Sequence, residues 1–528
     1  MGMIQNRVSS SSRPQSLAVK TTRNALWHIS GFLVNSVLGL VVTALVVNKI
    51  GINNFGLFGL ITAVVVPLNL ANLGFGEATI KYVSQYVHER NFIQAEKYIN
   101  TTYFMNLVVG FAGAALISIF GRYLFTYLFH IQENDLALIN RCLYLVALSW
   151  FFNQASAVLM GIPAAFQKYQ YVATGNMLIM LTNSCLILLL VMGGGGLVGY
   201  VAATVAGSIV NFFYWHFMAK KIFPEAKIRP VLHKDAWKNS FHFGGWQAVA
   251  QLGGILSNQI DKYILGALLA PAAVGIYNVA YTVEQRAYNL VFTVSEVLFP
   301  AFSSLNNEAL ELKADALMKA SWILTVLSVC VITPLIPLAH GLLALWINHE
   351  VANQGSVILQ TLAVAGTLGC ATNASYFFLL GSGQTRIITL LAVITGLVTI
   401  IVSASVLPRF GLVAAGSSGV AAMLVQIVFV NIMIRKLFGH VLPWTVVITS
   451  LYVPIVVGLS ISFTISLVGH PAITTWLQLI LSYCALAAGT LAVIVAICRI
   501  LPHGRERTVY MSTLFKSMWP LQSMKENG

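Results

Sequence analysis

Five ionisable residues crowd into two neighbouring apolar stretches of this sequence. The first reads Asn258-Gln259-Ile260-Asp261-Lys262-Tyr263; the second carries Glu284-Gln285-Arg286, then Asn289, Thr293 and Glu296. A charge on a lipid-embedded helix is costly, so such residues face a partner or a water-filled path. On helices, Asn258, Asp261 and Lys262 share one side, and Arg286, Asn289, Thr293 and Glu296 form one stripe. Lys262 and Arg286 suit a phosphate. The acids suit a cation. The competing reading is mutual neutralisation, since Asp261, Glu284 and Glu296 against Lys262 and Arg286 sum to −1. Buried pairs of that kind can set helix register without binding anything. Asn258, Asp261, Lys262, Glu284, Arg286, Asn289 and Glu296 are therefore the candidate wall of a translocation cavity.

A weaker polar set precedes them. Asn24, His28 and Asn35 share a face of the first apolar segment, Asn69, Asn72 and Glu77 follow along the second, and Arg23 and Lys81 stand near one mouth. These residues are candidates for the opposite wall. A lone histidine such as His28 is more often a hydrogen-bonded interior group than a proton carrier. Glu77 and Lys81, four apart, have the spacing of an ordinary helical pair.

The elements that position these residues follow from composition. Of 528 residues, 58% are hydrophobic and 9% charged, against about 25% charged in soluble domains. A secreted, nuclear or cytosolic protein is excluded. A span needs about 20 apolar residues, and fourteen such segments start near Leu26, Phe55, Thr102, Ala137, Val172, Leu197, Trp246, Val274, Ser321, Ser356, Ile387, Ala414, Thr445 and Thr475. The expected fold is an all-α polytopic membrane protein with about 14 transmembrane helices.

Charge then orients the chain. With both termini inside, four of the 30 Lys and Arg residues fall in outer loops (Lys49, Arg122, Arg141, Arg409), and Lys262 and Arg286 lie within spans. The other 24 are inside, which predicts cytoplasmic termini and explains the net charge of +14 without any nucleic acid. The richest inside loop, 219–245, holds Lys220, Lys221, Lys227, Arg229, Lys234 and Lys238. It is a solvated linker held inside by its charge, or a surface for anionic lipid headgroups.

Three short matches suggest an internal repeat. Phe55-Gly56-Leu57-Phe58 pairs with Val274-Gly275-Ile276-Tyr277, Leu159-Met160-Gly161 with Leu379-Leu380-Gly381, and Gly196-Leu197-Val198 with Gly411-Leu412-Val413. Their offsets are nearly constant, and six spans preserve orientation, so two parallel lobes are expected. The expected organisation is a cytoplasmic tail (1–24), a first six-helix lobe (25–218), the basic linker (219–245), a pseudo-symmetric second lobe (246–436), two C-terminal helices (445–498) and a cytoplasmic tail (499–528). Met511, Leu514, Phe515, Met518 and Trp519 give that last tail an amphipathic pattern. The polar N-terminus lacks the pattern of a signal peptide.

Enzyme chemistry has no support. There is no Walker loop, no GxSxG and no HExxH, so no cofactor is expected. The six cysteines lie in or beside apolar segments without metal-ligand spacing, so no metal site is expected either.

The run Ser257 to Tyr277, SNQIDKYILGALLAPAAVGIY, followed by Leu298-Phe299-Pro300, resembles the polysaccharide-type flippases of the multidrug/oligosaccharidyl-lipid/polysaccharide exporter superfamily. The matching positions are Asp261-Lys262, Gly266 and Val274-Gly275-Ile276-Tyr277. Gly51-Ile52-Asn53-Asn54-Phe55-Gly56 and Lys81-Tyr82-Val83-Ser84-Gln85 look similar in the first lobe. The resemblance implies a two-lobed flippase for lipid-linked oligosaccharides in the bacterial inner membrane. Its cargo would be an undecaprenyl-diphosphate-linked O-antigen, capsule or exopolysaccharide unit. It further implies membrane lipids, a proton or sodium as coupling ion, and polysaccharide polymerase or assembly proteins as partners. Family members often have twelve spans, whereas the related lipid II flippases have fourteen. A lipid II flippase and a cation-coupled multidrug antiporter are the alternatives, and a non-transporting scaffold is a remote one.

Overall fold

The computed structural model describes residues 34–68, 75–240, 260–469 and 473–501. Helices and short turns account for these segments, and no strand occurs among the described residues. Lipid offers no partner for backbone N–H and C=O groups, so each apolar run satisfies its own by coiling.

The first lobe begins with α1 (Val34–Ile50) and α2 (Ile52–Val65), which meet at a bend of 119°. Gly51 makes the corner at φ 84°, a conformation that suits a residue without Cβ. α3 (Phe75–His88), α4 (Phe92–Tyr123), α5 (Glu133–Ala165), α6 (Tyr169–Leu190) and α7 (Gly196–Ile222) complete the lobe. The turn into α4 is closed by Asn91, whose side chain accepts from Gln94 N at 3.2 Å. Helices α4, α5 and α7 pack side by side, with α3 against α4 and α5.

The second lobe comprises α8 (described over 260–268), α9 (Pro271–Ser295), α10 (Leu298–Ser304), α11 (Leu310–Ile332), α12 (Leu335–Trp346), α13 (His349–Ala371), α14 (Asn373–Gly381), α15 (Thr385–Phe410) and α16 (Ser417–Phe438). α13 is its centre, touching α9, α11, α12 and α16. After α17 (Trp444–Val447), α18 (Val453–Val468) and α19 (Trp476–Ile500) pack on α11, where Trp322, Val326 and Val329 meet Ile494 and Cys498.

Two pairs of glycines, one of each pair from each half of the chain, have similar surroundings. Gly196 opens α7 at φ 56°, ψ −143°, and Gly411, ahead of α16, has φ 61°, ψ −147°. A methyl on Gly161 would sit 3.3 Å from the Gly76 carbonyl of α3, and one on Gly381 would sit 3.3 Å from the Phe299 carbonyl of α10. These are the positions that matched in sequence.

Among the described residues, nine helical stretches are long and apolar enough to cross a bilayer, or ten with α1 and α2 taken as one bent span. The number fourteen is not reached, for physical reasons. The fifth and sixth segments run on as one stretch, Gln170–Ile222, through a wide π turn at Val191–Gly195. The first and second are the bent pair. The eighth, α9, carries the polar stripe that lowers its hydropathy, and much of the seventh lies outside the described residues.

Candidate functional site

α8 separates its two charged neighbours, because consecutive helical residues point about 100° apart. Asp261 turns into the second lobe and is 7% exposed. Ser418 Oγ, from α16, lies 2.8 and 3.0 Å from its two carboxylate oxygens. Ser403 of α15 donates to the same carboxylate, and Tyr277 OH donates from α9 at 3.3 Å. Three hydroxyls thus surround one buried acid, replacing the water it has lost. Lys262 points to α9, with Nζ 4.9 Å from the centre of the Tyr281 ring. That ring stacks on Tyr277 at 5.9 Å, so the lysine meets a π face rather than an acid.

α9 divides its polar residues between two faces. Glu284 is 4% exposed and points into the lobe, where its carboxylate fills the space beside Gly366 of α13. Gln285 Nε2 donates to it at 3.4 Å. Arg286, Asn289 and Thr293 are half-buried and Glu296 is exposed, giving one open face. Arg286 reaches the other lobe: a methyl on Gly39 of α1 would come 2.6 Å from Nη2. Neither Lys262 nor Arg286 forms an ion pair with a described residue. Asp261 and Lys262 still act on each other through space, without a direct contact between their charged groups.

The lobes meet where α1 turns into α2 and α8 into α9. Trp346 Nε1 donates to the Leu40 carbonyl at 3.0 Å, Tyr263 OH donates to the Ala63 carbonyl, and Gly266 packs on Leu60 and Phe129. α2 lies along α9.

Of the first-lobe candidates, Asn35 is exposed near the start of α1. Lys81 is exposed on α3, its Nζ 4.9 Å from the centre of the Tyr82 ring. Glu77 lies on α3, its side chain outside the description. Arg23, Asn24, His28, Asn69, Asn72 and Asn258 lie outside the described residues, as does the amphipathic pattern of the last tail.

A family model described as "Polysaccharide biosynthesis protein" matches residues 21–306, more than half of the chain. The chain belongs to this family. Its matched part takes in the first lobe and α8 to α10, including every charged residue of the site. An uncharacterized membrane protein of Methanocaldococcus jannaschii is 22% identical over 434 residues, 80% of this chain and 85% of that one. A Shigella flexneri protein named as an O-antigen transporter is 20% identical over 296 residues, 54% of this chain and 67% of that one.

Solved structures show the same fold. A lipid II flippase, MurJ, in an inward closed conformation superposes with a TM-score of 0.69 at 14% identity, covering 89% of this chain and 98% of that chain. An inward-facing multidrug transporter of the MATE family gives 0.65 at 15% identity, covering 76% and 95%. These neighbours are transporters and flippases, not enzymes. Apolar helices and family together make this a multi-pass membrane protein of the polysaccharide biosynthesis family.

The hydroxyls around Asp261 were missed from sequence, although one signal for them exists. Thr395, Thr399 and Ser403, four apart, form one buried stripe on α15. Buried hydroxyls at that spacing in an apolar run mark a face turned from lipid.

Proposed function

We propose that this protein is a flippase that carries a lipid-linked oligosaccharide from the cytoplasmic to the outer leaflet of the bacterial inner membrane by alternating access. The cargo class is an undecaprenyl-diphosphate-linked O-antigen, capsule or exopolysaccharide unit. One observation carries the reading: Arg286, on the open face of α9, reaches α1 of the other lobe without an ion-pair partner among the described residues. A cation placed between two lobes suits a diphosphate. With the basic loops inside, the α1–α2 and α8–α9 corners where the lobes touch would lie at the outer end, which supports entry of the cargo from the cytoplasmic side. Lys262, held on Tyr281, is the second phosphate candidate.

The Asp261 nest favours a role beside the cargo rather than on it. Its carboxylate faces α15 and α16, inside the second lobe. A proton or sodium ion there would exchange with the surrounding hydroxyls and alter the packing of α8 on α15 and α16. This supports cation coupling of the flippase, and it weakens a multidrug antiporter whose acids would meet the drug.

The test is reconstitution. Purified protein in vesicles should move a fluorescent undecaprenyl-diphosphate glycolipid to the opposite leaflet, and Arg286→Gln should slow that movement by about an order of magnitude or more at unchanged protein content. Equal movement by both proteins would defeat the headgroup role of Arg286. Drug efflux without glycolipid movement would replace the flippase reading by the antiporter.

A further inference from the structure

The connection between the lobes is built more carefully than a topological signal requires. Positive residues hold a loop inside by their charge alone, without a defined backbone. Here the backbone of 226–240 is fastened to the first lobe. Asn100, 6% exposed, accepts from Arg229 N at 2.8 Å, and the buried Thr101 Oγ1 accepts from His233 N at 3.1 Å. Asn239 Nδ2 donates to Tyr98 OH at 2.8 Å, and Tyr82 OH donates to the Asn239 carbonyl at 3.3 Å. Ala226 and Ala236 are buried in the same cluster as Tyr98 and Trp215. Two buried polar side chains of α4 thus spend their hydrogen bonds on holding this strap.

What the strap displays is specific in kind. Lys227, Arg229, Lys234 and Lys238 all point outward. Between Arg229 and Lys234 stand Val231 and Leu232, 43% and 48% exposed. On the adjoining start of α4, Ile93 is 73% exposed, next to Phe92, whose ring packs on Phe223 at 5.8 Å. Exposed aliphatic side chains set among lysines and arginines match the two layers of an anionic membrane surface. The apolar groups enter the acyl boundary and the cations meet lipid phosphates. Lys and Arg stems reach between those layers.

We propose that residues 227–238 are a binding surface for anionic phospholipid headgroups of the inner leaflet, anchored to the first lobe through Asn100 and Thr101. This surface is separate from the candidate cargo site and does not depend on what that site carries.

The experiment places an environment-sensitive fluorophore on Leu232→Cys, with the exposed Cys185 and Cys484 replaced by Ala. The protein is reconstituted in vesicles of phosphatidylcholine alone, or of phosphatidylcholine mixed with phosphatidylglycerol. The expected result is blue-shifted emission and quenching by spin-labelled lipid in the mixed vesicles, with both reversed by high salt. A variant with Lys227, Arg229, Lys234 and Lys238 all changed to Gln should show neither effect. The salt reversal on charge-intact protein decides the question even if that variant inserts poorly. Identical emission in the two vesicle types would overturn the proposal. So would a shift that ignores both salt and the Gln substitutions, which would indicate an apolar contact without headgroup recognition.

Discussion

Gly56 and Gly275 lie against each other across the two lobes. A methyl built on Gly56 would come 3.0 Å from Gly275 N, and one built on Gly275 would come 3.2 Å from Gly56 N. The same methyls would overlap the carbonyls of Pro271 and Ile52 respectively. The contact is reciprocal: Ile52 and Gly56 are separated by one turn, as are Pro271 and Gly275. The absence of side chains at these two positions lets the backbones of α2 and α9 approach closely.

Gly275→Val should therefore wedge these two helices apart. Overpacking costs about 1–3 kcal/mol and would fall on the closed arrangement alone. A shift of this size changes the ratio of closed to open forms about fivefold or more. Thiol labelling of a cysteine at Asn289 from the outer side should rise, and glycan export should fall at normal abundance. Unchanged labelling would mean that these glycines are not part of a gate.

Ser418→Ala removes the hydroxyl that faces both oxygens of Asp261. Depriving a buried acceptor of a partner costs about 1–3 kcal/mol, so a lower melting temperature in detergent is expected. Asp261→Asn should leave glycolipid binding intact while making transport indifferent to imposed sodium or proton gradients. Retention of a gradient response in Asp261→Asn would remove this carboxylate from coupling.

Lys262→Gln and Arg286→Gln should each lower export by an order of magnitude or more, about 1.4 kcal/mol of lost recognition, at normal protein abundance. The Asp261 carboxylate keeps its three hydroxyl partners when Lys262 is neutralised, so adding Asp261→Asn to Lys262→Gln should not restore export. Restoration by the double variant would reinstate mutual neutralisation as the role of these charges.

Topology can be checked without transport. Cysteines introduced at Ser9 and Ser523 should resist a membrane-impermeant reagent in intact cells and react after lysis. A cysteine at Phe410, beside the Gly411 turn, should react in intact cells. The opposite pattern would reverse the orientation and, with it, the direction of transport proposed above.

The helical, membrane-embedded nature of this protein was determined by the sequence itself, because apolarity and run length are summed locally along the chain. Gly196 and Gly411, matched in sequence, adopt nearly the same backbone angles, in a region that favours a residue without Cβ. The charged character of the α8–α9 pair was likewise visible, since a charge in an apolar run stands out without knowledge of its neighbours.

Only the tertiary structure decided what each charge meets. Asp261 and Lys262 are adjacent in sequence, yet one enters a nest of hydroxyls and the other rests on an aromatic ring. Glu284 and Arg286, two residues apart, part in the same way between the lobe interior and α1. Ser403 and Ser418 lie 142 and 157 residues from Asp261. No local pattern encodes such partners, because they are fixed by how α15 and α16 pack on α8. The basic linker shows the same limit: its charge could be counted, but its attachment to Asn100 and Thr101 depends on contacts 129 and 132 residues apart. Secondary structure and topology are governed by neighbours along the chain, whereas a binding group is defined by neighbours in space.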